Sequence, residues 1–276
     1  MATLLPDMAE RYWQLLIDGD TEGLLAMFAG SPKVDAVRPG TAEGEDEVRA
    51  FASGTHEWLA GMSAHVSPVR TTRGDLRSVA EQELHLHLDD GRKLHLPTAV
   101  VAERTDSPRL ERITVYHSTW PLTGHHEVRS PVLEVDPDLT APDIVGRYED
   151  ALAQGYLLGI MELFEPDAYV REPAGEAFVH RGTDAIRDFY LDLFANMGGI
   201  ALDPCTITDD GEACAVEYNA MRWGRTVLPP QAGVAVYERS TDGALLHAAR
   251  IYDDVEPPAQ IAEVLERAGA GTAREG

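Results

Sequence analysis

The chain has 276 residues with an ordinary apolar content of 44%, and its 47 acidic and 23 basic side chains leave a formal net charge of −24. The apolar content is typical of a globular protein and excludes a disordered chain. The negative charge disfavours binding to nucleic acid or to an anionic membrane, because phosphate groups would be repelled along most of the surface.

The sequence also predicts the compartment. No apolar run approaches the roughly 20 residues that span a bilayer, and the start lacks the basic segment and apolar core of a signal peptide. Two cysteines, Cys205 and Cys214, cannot form a disulfide framework and lack the spacing of a metal cluster. We therefore expect a cytoplasmic protein with no membrane or nucleic-acid partner.

The first half of the chain predicts helices followed by an antiparallel meander. A first helix with apolar residues at helical spacing ends at Gly19, and Asp20 and Thr21 begin a short second helix. The later elements are a strand over 34–37, a third helix over 46–59, and three alternating strands over 79–88, 94–102 and 110–120. In that order they predict an α+β fold with helices on one face of a curved sheet.

The same pattern occurs twice, at an offset of 136 residues. Arg11-Tyr12 recurs as Arg147-Tyr148, and Val115-Tyr116 recurs as Ile251-Tyr252. An in-phase series of this kind predicts two tandem copies of one domain. In the second copy the alternating strands fall at 213–223, 226–238 and 245–255. The predicted boundaries are 1–124 for the first domain, 125–142 for a proline-containing linker, 143–268 for the second domain and 269–276 for a flexible tail.

A family resemblance lies in residues 146–190, which read GRYEDALAQGYLLGIMELFEPDAYVREPAGEAFVHRGTDAIRDFY. They resemble the first half of ketosteroid isomerases and, more broadly, SnoaL-like domains of the nuclear-transport-factor-2-like fold. The resemblance implies two cone-shaped α+β barrels. This fold hosts isomerases, dehydratases, cyclases, epoxide hydrolases and non-enzymes. Tandem copies in a chain of this length are similar to the polyether epoxide hydrolase-cyclases of the lasalocid type.

The resemblance implies catalytic positions in the second copy. The general base falls on Glu172 and the tyrosine of the first helix on Tyr148, whereas the acid of the oxyanion hole falls near Gly233, which has no side chain. The polyether enzymes look like they use a pair of carboxylates with a tyrosine, and no second carboxylate is evident at the usual distance after Glu172. The alternative for Glu172 is a surface carboxylate that pairs with Arg171.

In the first copy the same resemblance implies Tyr12 as the helix tyrosine. The base position falls on Ala36 by strict offset, and on Asp35 only with a slip of one residue. Tyr116 and Tyr252 lie in the last strand of each copy, where a phenol can stabilise an oxyanion or simply pack in the core.

Other polar residues are candidates for binding. The candidate substrate-binding residues are Arg250, Tyr218, Trp223 and His65. Arg250 either holds a substrate carboxylate or neutralises Glu172 or Asp253. His85 and His87 alternate with leucines, and the pattern favours leucines in the core with the imidazoles on the opposite face. If the imidazoles faced inward instead, Glu83 would complete an acid-base or metal-binding set.

Together these features predict an enzyme that moves protons on a hydrophobic, polyketide-like small molecule. The favoured reaction is epoxide opening by a cyclase or epoxide hydrolase, with a double-bond isomerase or dehydratase as the alternative. Proton transfer requires no nicotinamide, flavin or metal, so no cofactor is expected. A third possibility is a non-catalytic module that binds a hydrophobic ligand. We expect the two domains to pair within the chain, and homodimers are a further option.

Overall fold

The computed structural model describes residues 8–88 and 90–258. The chain divides into two units after His117, so the predicted linker belongs to the second. The predicted tail at 269–276, and the outer ends of the two predicted domains, lie outside the described residues. Within the described part of the chain, no helix is long and apolar enough to cross a membrane.

Unit 1 contains three helices and six strands. They are α1 (Met8–Asp18), α2 (Thr21–Leu25), β1 (Lys33–Asp35), β2 (Thr41–Glu43), α3 (Glu45–Gly61), β3 (His65–Arg73), β4 (Arg77–His87), β5 (Lys93–Glu103) and β6 (Arg112–Tyr116). As the sequence predicts, Asp20 precedes α2 and its side chain accepts a hydrogen bond from the backbone N–H of Gly23, 2.8 Å away.

Unit 2 repeats this order after one extra short helix. Its elements are α4 (Trp120–Thr123), α5 (Asp143–Gln154), α6 (Leu157–Met161), β7 (Phe164–Arg171), a 3₁₀ turn (Glu176–Phe178), β8 (Val179–Arg181), α7 (Thr183–Leu193), β9 (Ile200–Asp209), β10 (Ala213–Trp223), β11 (Thr226–Arg239) and β12 (Leu246–Tyr252). The two predicted tandem copies of one α+β fold are therefore confirmed.

Each unit has one six-stranded sheet with the same topology. The strand orders are β2-β1-β6-β5-β4-β3 and β8-β7-β12-β11-β10-β9. The predicted antiparallel meander is present, as in β3 to β6, and each sheet has one parallel pair besides, because β1 pairs in parallel with β6 and β7 pairs in parallel with β12. The first strand of each unit enters beside the last one, which runs in the same direction. Within the described residues the sheets stay open and do not close into barrels.

The sequence pattern misses the outer strands β3 and β9. Both contain a proline, Pro68 and Pro204, and both lie at the edge of their sheets. A proline cannot donate a hydrogen bond to a neighbouring strand, so it is tolerated at an edge and there obscures the strand pattern. The last strands also end earlier than predicted, at Tyr116 and Tyr252.

The pairing of the first and last strands in each sheet shows that the offset of 136 residues holds without a slip at β1 and β7. Asp35 lies opposite Thr114 in unit 1, and Arg171 lies opposite Arg250 in unit 2. Asp35 is therefore the counterpart of Arg171. Ala36 is the counterpart of Glu172, as the strict offset predicts.

Candidate functional site

The helices of unit 2 pack on one side of its sheet, which we call the inner face. The core beneath the helices includes Val170, Val216, Tyr218, Ala235 and Tyr237. Because side chains alternate along a strand, every second residue of these strands points to the inner face and the others to the outer face. The inner face carries the polar groups described next.

Tyr218 and Asp253 form a hydrogen-bonded pair across the inner face. The Tyr218 hydroxyl donates to Oδ2 of Asp253 at 2.6 Å. Gly233 lies directly opposite Tyr218, and a Cβ at this glycine would lie 2.7 Å from the tyrosine ring. The absence of a side chain at Gly233 therefore gives the ring of Tyr218 room to lie over β11 and reach Asp253 just beyond the end of β12.

The environment of Asp253 changes its acidity. Burial raises the pKa of this carboxyl from 3.8 to about 6, against the hydrogen bond from Tyr218, which lowers it. A carboxyl group with a pKa near 6 exchanges a proton readily close to neutral pH. Sequence reasoning considered Asp253 only as a charge partner of Arg250, so its place on the inner face is a finding of the structure.

Glu172 pairs with an imidazole on the same face. It follows β7, and a tight loop containing Gly175, with a φ of 100°, returns the chain antiparallel as β8. His180 of β8 lies opposite Val170, so it shares the inner face, and its Nε2–H donates to Oε1 of Glu172 at 2.6 Å. The imidazole also stacks on Phe189 of α7, with ring centroids 4.4 Å apart. Both side chains of the pair remain partly exposed, at 19% and 25%.

A third polar group lies under α5. The hydroxyls of Tyr148 and Tyr190 are 2.6 Å apart, and burial raises the pKa of both phenols. Next to Tyr148, burial raises the pKa of Glu149 to about 7, while a hydrogen bond from Tyr237 lowers it. These phenols therefore stay protonated near neutral pH, and Glu149 titrates there.

Two of the predicted residues of unit 2 lie on the outer face instead. Arg250 is directly opposite Arg171, and Arg171 lies over the ring of Tyr252 at 4.5 Å. The Arg250 guanidinium donates to Glu238 at 2.8 Å and to Tyr169 at 2.9 Å. Strand alternation thus separates Arg250 and Tyr252 from Glu172, and Arg250 forms an ion pair with Glu238 on the outer face.

The remaining binding candidates lie apart from these pairs. Trp223 is buried, and its indole N–H donates to the carbonyl of Leu193 at 2.8 Å, where α7 ends. This contact anchors α7 on the sheet. His65 belongs to β3 of unit 1, where its ring stacks on that of His85 with centroids 4.4 Å apart.

In unit 1 the predicted catalytic residues are buried, and they pair or pack with residues of the fold. Asp35 accepts hydrogen bonds from Arg112 at 2.5 Å and from Thr41 at 2.6 Å, and it is 3% exposed. Tyr12 is fully buried and packs edge-on against Trp13. Tyr116 is buried and lies opposite Ala99, on the face away from the helices.

The face of unit 1 that corresponds to the inner face of unit 2 lacks these carboxyl and phenol pairs. Strand register and helix offset match each polar residue of unit 2 with a counterpart in unit 1. The counterparts of Glu149, Glu172, His180, Tyr190, Tyr218, Tyr237 and Asp253 are Trp13, Ala36, Ala42, Ala52, Gln82, Ala102 and His117. None of these is a carboxyl or a phenol, and of the phenols in this group only Tyr148 has a phenol, Tyr12, as its counterpart. The concentration of acid-base groups is therefore a property of unit 2.

Sequence reasoning missed several members of this site, namely Glu149, Tyr190, Tyr237 and, as an acid-base group, Asp253. A comparison of the two copies could have found these residues. Each of these positions carries a polar side chain in the second copy and a different residue in the first. Within the described residues, the side-chain clusters with metal-ligand spacing include none of the residues of this site.

A comparison with known protein families finds one match. Residues 145–248, which lie in unit 2, match the sequence model of the SnoaL-like domain family. This confirms the resemblance seen in residues 146–190. No curated protein matches the chain in sequence.

Solved structures with similar folds each align with less than half of the chain. A candidate polyketide cyclase from Sinorhizobium meliloti is 24% identical, with 40% of this chain and 94% of that chain covered and a TM-score of 0.34. RV0760c from Mycobacterium tuberculosis, in complex with estradiol-17β-hemisuccinate, is 18% identical, with coverage of 40% and 89% and a TM-score of 0.33. The epoxide hydrolase/cyclase-like enzyme SalBIII of salinomycin pyran-ring formation is 12% identical, with coverage of 40% and 86% and a TM-score of 0.33.

Proposed function

We propose that unit 2 is the catalytic unit of a cofactor-independent acid-base enzyme that acts on a hydrophobic small molecule, and that its reaction is the opening of an epoxide. The observation that carries the proposal is the presence of two carboxyl groups, Glu172 and Asp253, on the same face and at the same end of one sheet. Asp253 supplies the second carboxylate that the sequence pattern lacks.

Asp253 suits the role of the acid. Its pKa of about 6 leaves part of the population protonated near neutral pH, whereas an ordinary aspartate would be fully ionised. In the proposed step the Asp253 carboxyl gives its proton to the epoxide oxygen as the C–O bond of the epoxide breaks. Tyr218, hydrogen-bonded to Asp253, orients that carboxyl.

Glu172 suits the role of the base. As a carboxylate it takes the proton of the attacking hydroxyl, either an internal hydroxyl of the substrate or a water molecule, while the new C–O bond forms. The imidazole of His180 holds the Glu172 carboxylate in place through the 2.6 Å hydrogen bond, and Phe189 stacks on that imidazole. One proton enters the substrate and one leaves it, so the reaction needs no redox partner.

The surroundings of the two pairs suit an apolar substrate. The inner face beside them is apolar, with Val170, Val216, Ala235 and Ile251 packed in or against the core. A ligand that enters beside the two pairs would meet apolar side chains, while the polar groups would set its orientation. This supports a polyketide-like substrate over a sugar or a nucleotide.

The test is a reaction assay with two probes, a hydrophobic epoxy alcohol whose hydroxyl can open its own epoxide, and a β,γ-unsaturated ketone. We expect turnover of the epoxy alcohol, and a decrease of kcat/KM on the order of 10²- to 10⁴-fold for each of E172Q and D253N. Wild-type kcat/KM should also follow a bell-shaped pH profile, since one carboxyl must be protonated and the other ionised.

The matched control is Y252F, which changes a buried phenol on the outer face and should leave kcat/KM within a few-fold of the wild type. Undiminished turnover in both E172Q and D253N would contradict the proposed roles. Turnover of the ketone alone would favour the isomerase alternative. Binding of both probes with turnover of neither would assign unit 2 to the ligand-binding class.

A further inference from the structure

A second chemical cluster lies in unit 1, on the face of its sheet away from the helices. Leu84 and Leu86 of β4 are fully buried under the helices, as the alternation predicts. Glu83 and His85 alternate with these leucines and therefore point outward, where His95 of β5, directly opposite His85, joins them. Each of the three offers one ligand atom, and these atoms all lie within 4.8 Å of one another.

The distances within this cluster match those around a small metal ion. Oε1 of Glu83 lies 3.3 Å from Nδ1 of His95 and 3.6 Å from Nε2 of His85. In a tetrahedral site with metal–ligand distances of about 2.0–2.1 Å, neighbouring ligand atoms are about 3.3–3.4 Å apart. The carboxylate oxygen thus already stands at nearly the required separation from both nitrogens.

The scaffold holds these side chains in place. The three residues come from two adjacent antiparallel strands with an unbroken register from Arg77 to His87. The His65 ring stacks on that of His85, only 6° from parallel, and the ring of His95 meets that of His85 edge-on at 4.5 Å. Little movement is therefore needed for the three ligand atoms to bind one ion.

The competing arrangement is a set of hydrogen bonds without a metal. Nε2 of His85 lies 2.9 Å from the hydroxyl of Ser67, which an incoming ion would replace as its partner. Partial exposure of the three side chains, at 23% for Glu83, 19% for His85 and 41% for His95, gives an ion a path from solvent.

The donor set selects the kind of ion. Two imidazoles and one carboxylate suit Zn²⁺ and neighbouring transition metals, whereas Ca²⁺ and Mg²⁺ prefer oxygen ligands throughout. Three protein ligands leave a fourth position open for water. We propose that Glu83, His85 and His95 form a binding site for a divalent transition-metal ion, with Zn²⁺ as the fitting ion, on the outer face of unit 1.

The experiment uses the full chain, stripped of metal with a chelator and titrated with Zn²⁺ alone in equilibrium dialysis. We expect a saturable site that the double variant H85N/H95N weakens by at least about 100-fold. Co²⁺ in place of Zn²⁺ should give the visible absorption of a four-coordinate ion, and this absorption should be lost in the same variant.

The control is H247N, because Glu165, Asp167 and His247 form the other cluster with metal-ligand spacing among the described residues. This variant should leave the affinity of the proposed site unchanged. If H85N/H95N does not fold, as judged by circular dichroism, E83Q replaces it, since it removes a ligand charge while keeping the shape of the side chain. The proposal is overturned if the wild type shows no saturable binding, if binding survives removal of the ligands, or if H247N abolishes it.

Discussion

Glu149 and Asp253 are carboxyl groups whose pKa values burial raises to about 7 and about 6. Each lies beside a buried phenol, Tyr237 or Tyr218, whose hydrogen bond lowers the pKa against this effect. The exposed acids Asp90 and Asp242 instead have lowered pKa values, because backbone N–H groups donate hydrogen bonds to them. At the scale of single residues, burial on the inner face therefore decides which carboxyl groups can exchange protons near neutral pH.

The raised pKa of Glu149 has a consequence for stability. The folded state holds this proton up to a pH of about 7, whereas the unfolded chain releases it near 4.5. Between these values the folded state binds more protons, so the free energy of unfolding falls as pH rises through that window. We expect E149Q to remove on the order of 1–3 kcal/mol of this fall, measured by urea unfolding at several pH values between the two limits.

The exposed Glu162 supplies the control for this experiment. E162Q should leave the pH dependence of the unfolding free energy as in the wild type. If E149Q keeps the full pH dependence of the unfolding free energy, Glu149 is not protonated in the folded state. The raised pKa of Glu149 is then wrong.

Tyr218 and Asp253 of unit 2 meet across a strand that has no side chain at the crossing point. Tyr218 of β10 and Asp253 after β12 are separated by β11, and they meet because β11 carries Gly233 at the crossing point. Gly233, at the position where the family resemblance implies an acid, thus leaves room for the ring of Tyr218. At the scale of elements, strand register determines the composition of the site.

Gly233 provides a test of this arrangement. An added Cβ would lie 2.7 Å from the Tyr218 ring, so G233A must displace the ring and break its hydrogen bond to Asp253. We expect a loss of about 1–3 kcal/mol in unfolding free energy and a fall in kcat/KM together. The control is G54A, at an exposed helical position with no atom within 4 Å of the added Cβ, which should be neutral or slightly stabilising. Wild-type stability and activity in G233A would contradict the account of the pair.

The tandem repeat gives the molecule two units of one fold but, in our proposal, one catalytic site. Unit 1 has alanine at the counterparts of Glu172 and His180, and its nearby acid, Asp35, is paired with Arg112 on the outer face. At the scale of the whole molecule, we infer that the two copies have diverged in role, with acid-base chemistry kept in the second.

D35N tests this division. The Asp35–Arg112 pair is mostly buried, with side chains 4% and 18% exposed, so removing the negative charge removes a mostly buried ion pair. We expect a loss on the order of 1–3 kcal/mol in the stability of unit 1, with kcat/KM of the folded protein unchanged. Thermal unfolding and the epoxide assay measure the two effects. A loss of activity comparable to that of E172Q, in protein that remains folded, would place a second catalytic site in unit 1.

Much of the fold could be predicted from local patterns. Helical spacing predicted α1 and α3, alternation predicted β4 and β5, and the capping role of Asp20 followed from its position. The edge strands could not be predicted, because Pro68 and Pro204 interrupt a pattern that only the neighbouring strand makes recognisable. The predicted site residues of unit 2 do not all lie on one face of the sheet. Glu172, Tyr148 and Tyr218 lie on the inner face, whereas Arg250 and Tyr252 lie on the outer one.

The sequence by itself determined the tandem repeat and the order of the elements that have a clear pattern, because both depend on spacing along the chain. It left open whether Ala36 or Asp35 matches Glu172, and the pairing of β1 with β6 and of β7 with β12 decided for Ala36. Only the tertiary structure decided which polar groups share a face. Asp253 and Tyr218 are distant in sequence, and the pleat of the strands and the absence of a side chain at Gly233 bring them within a hydrogen bond.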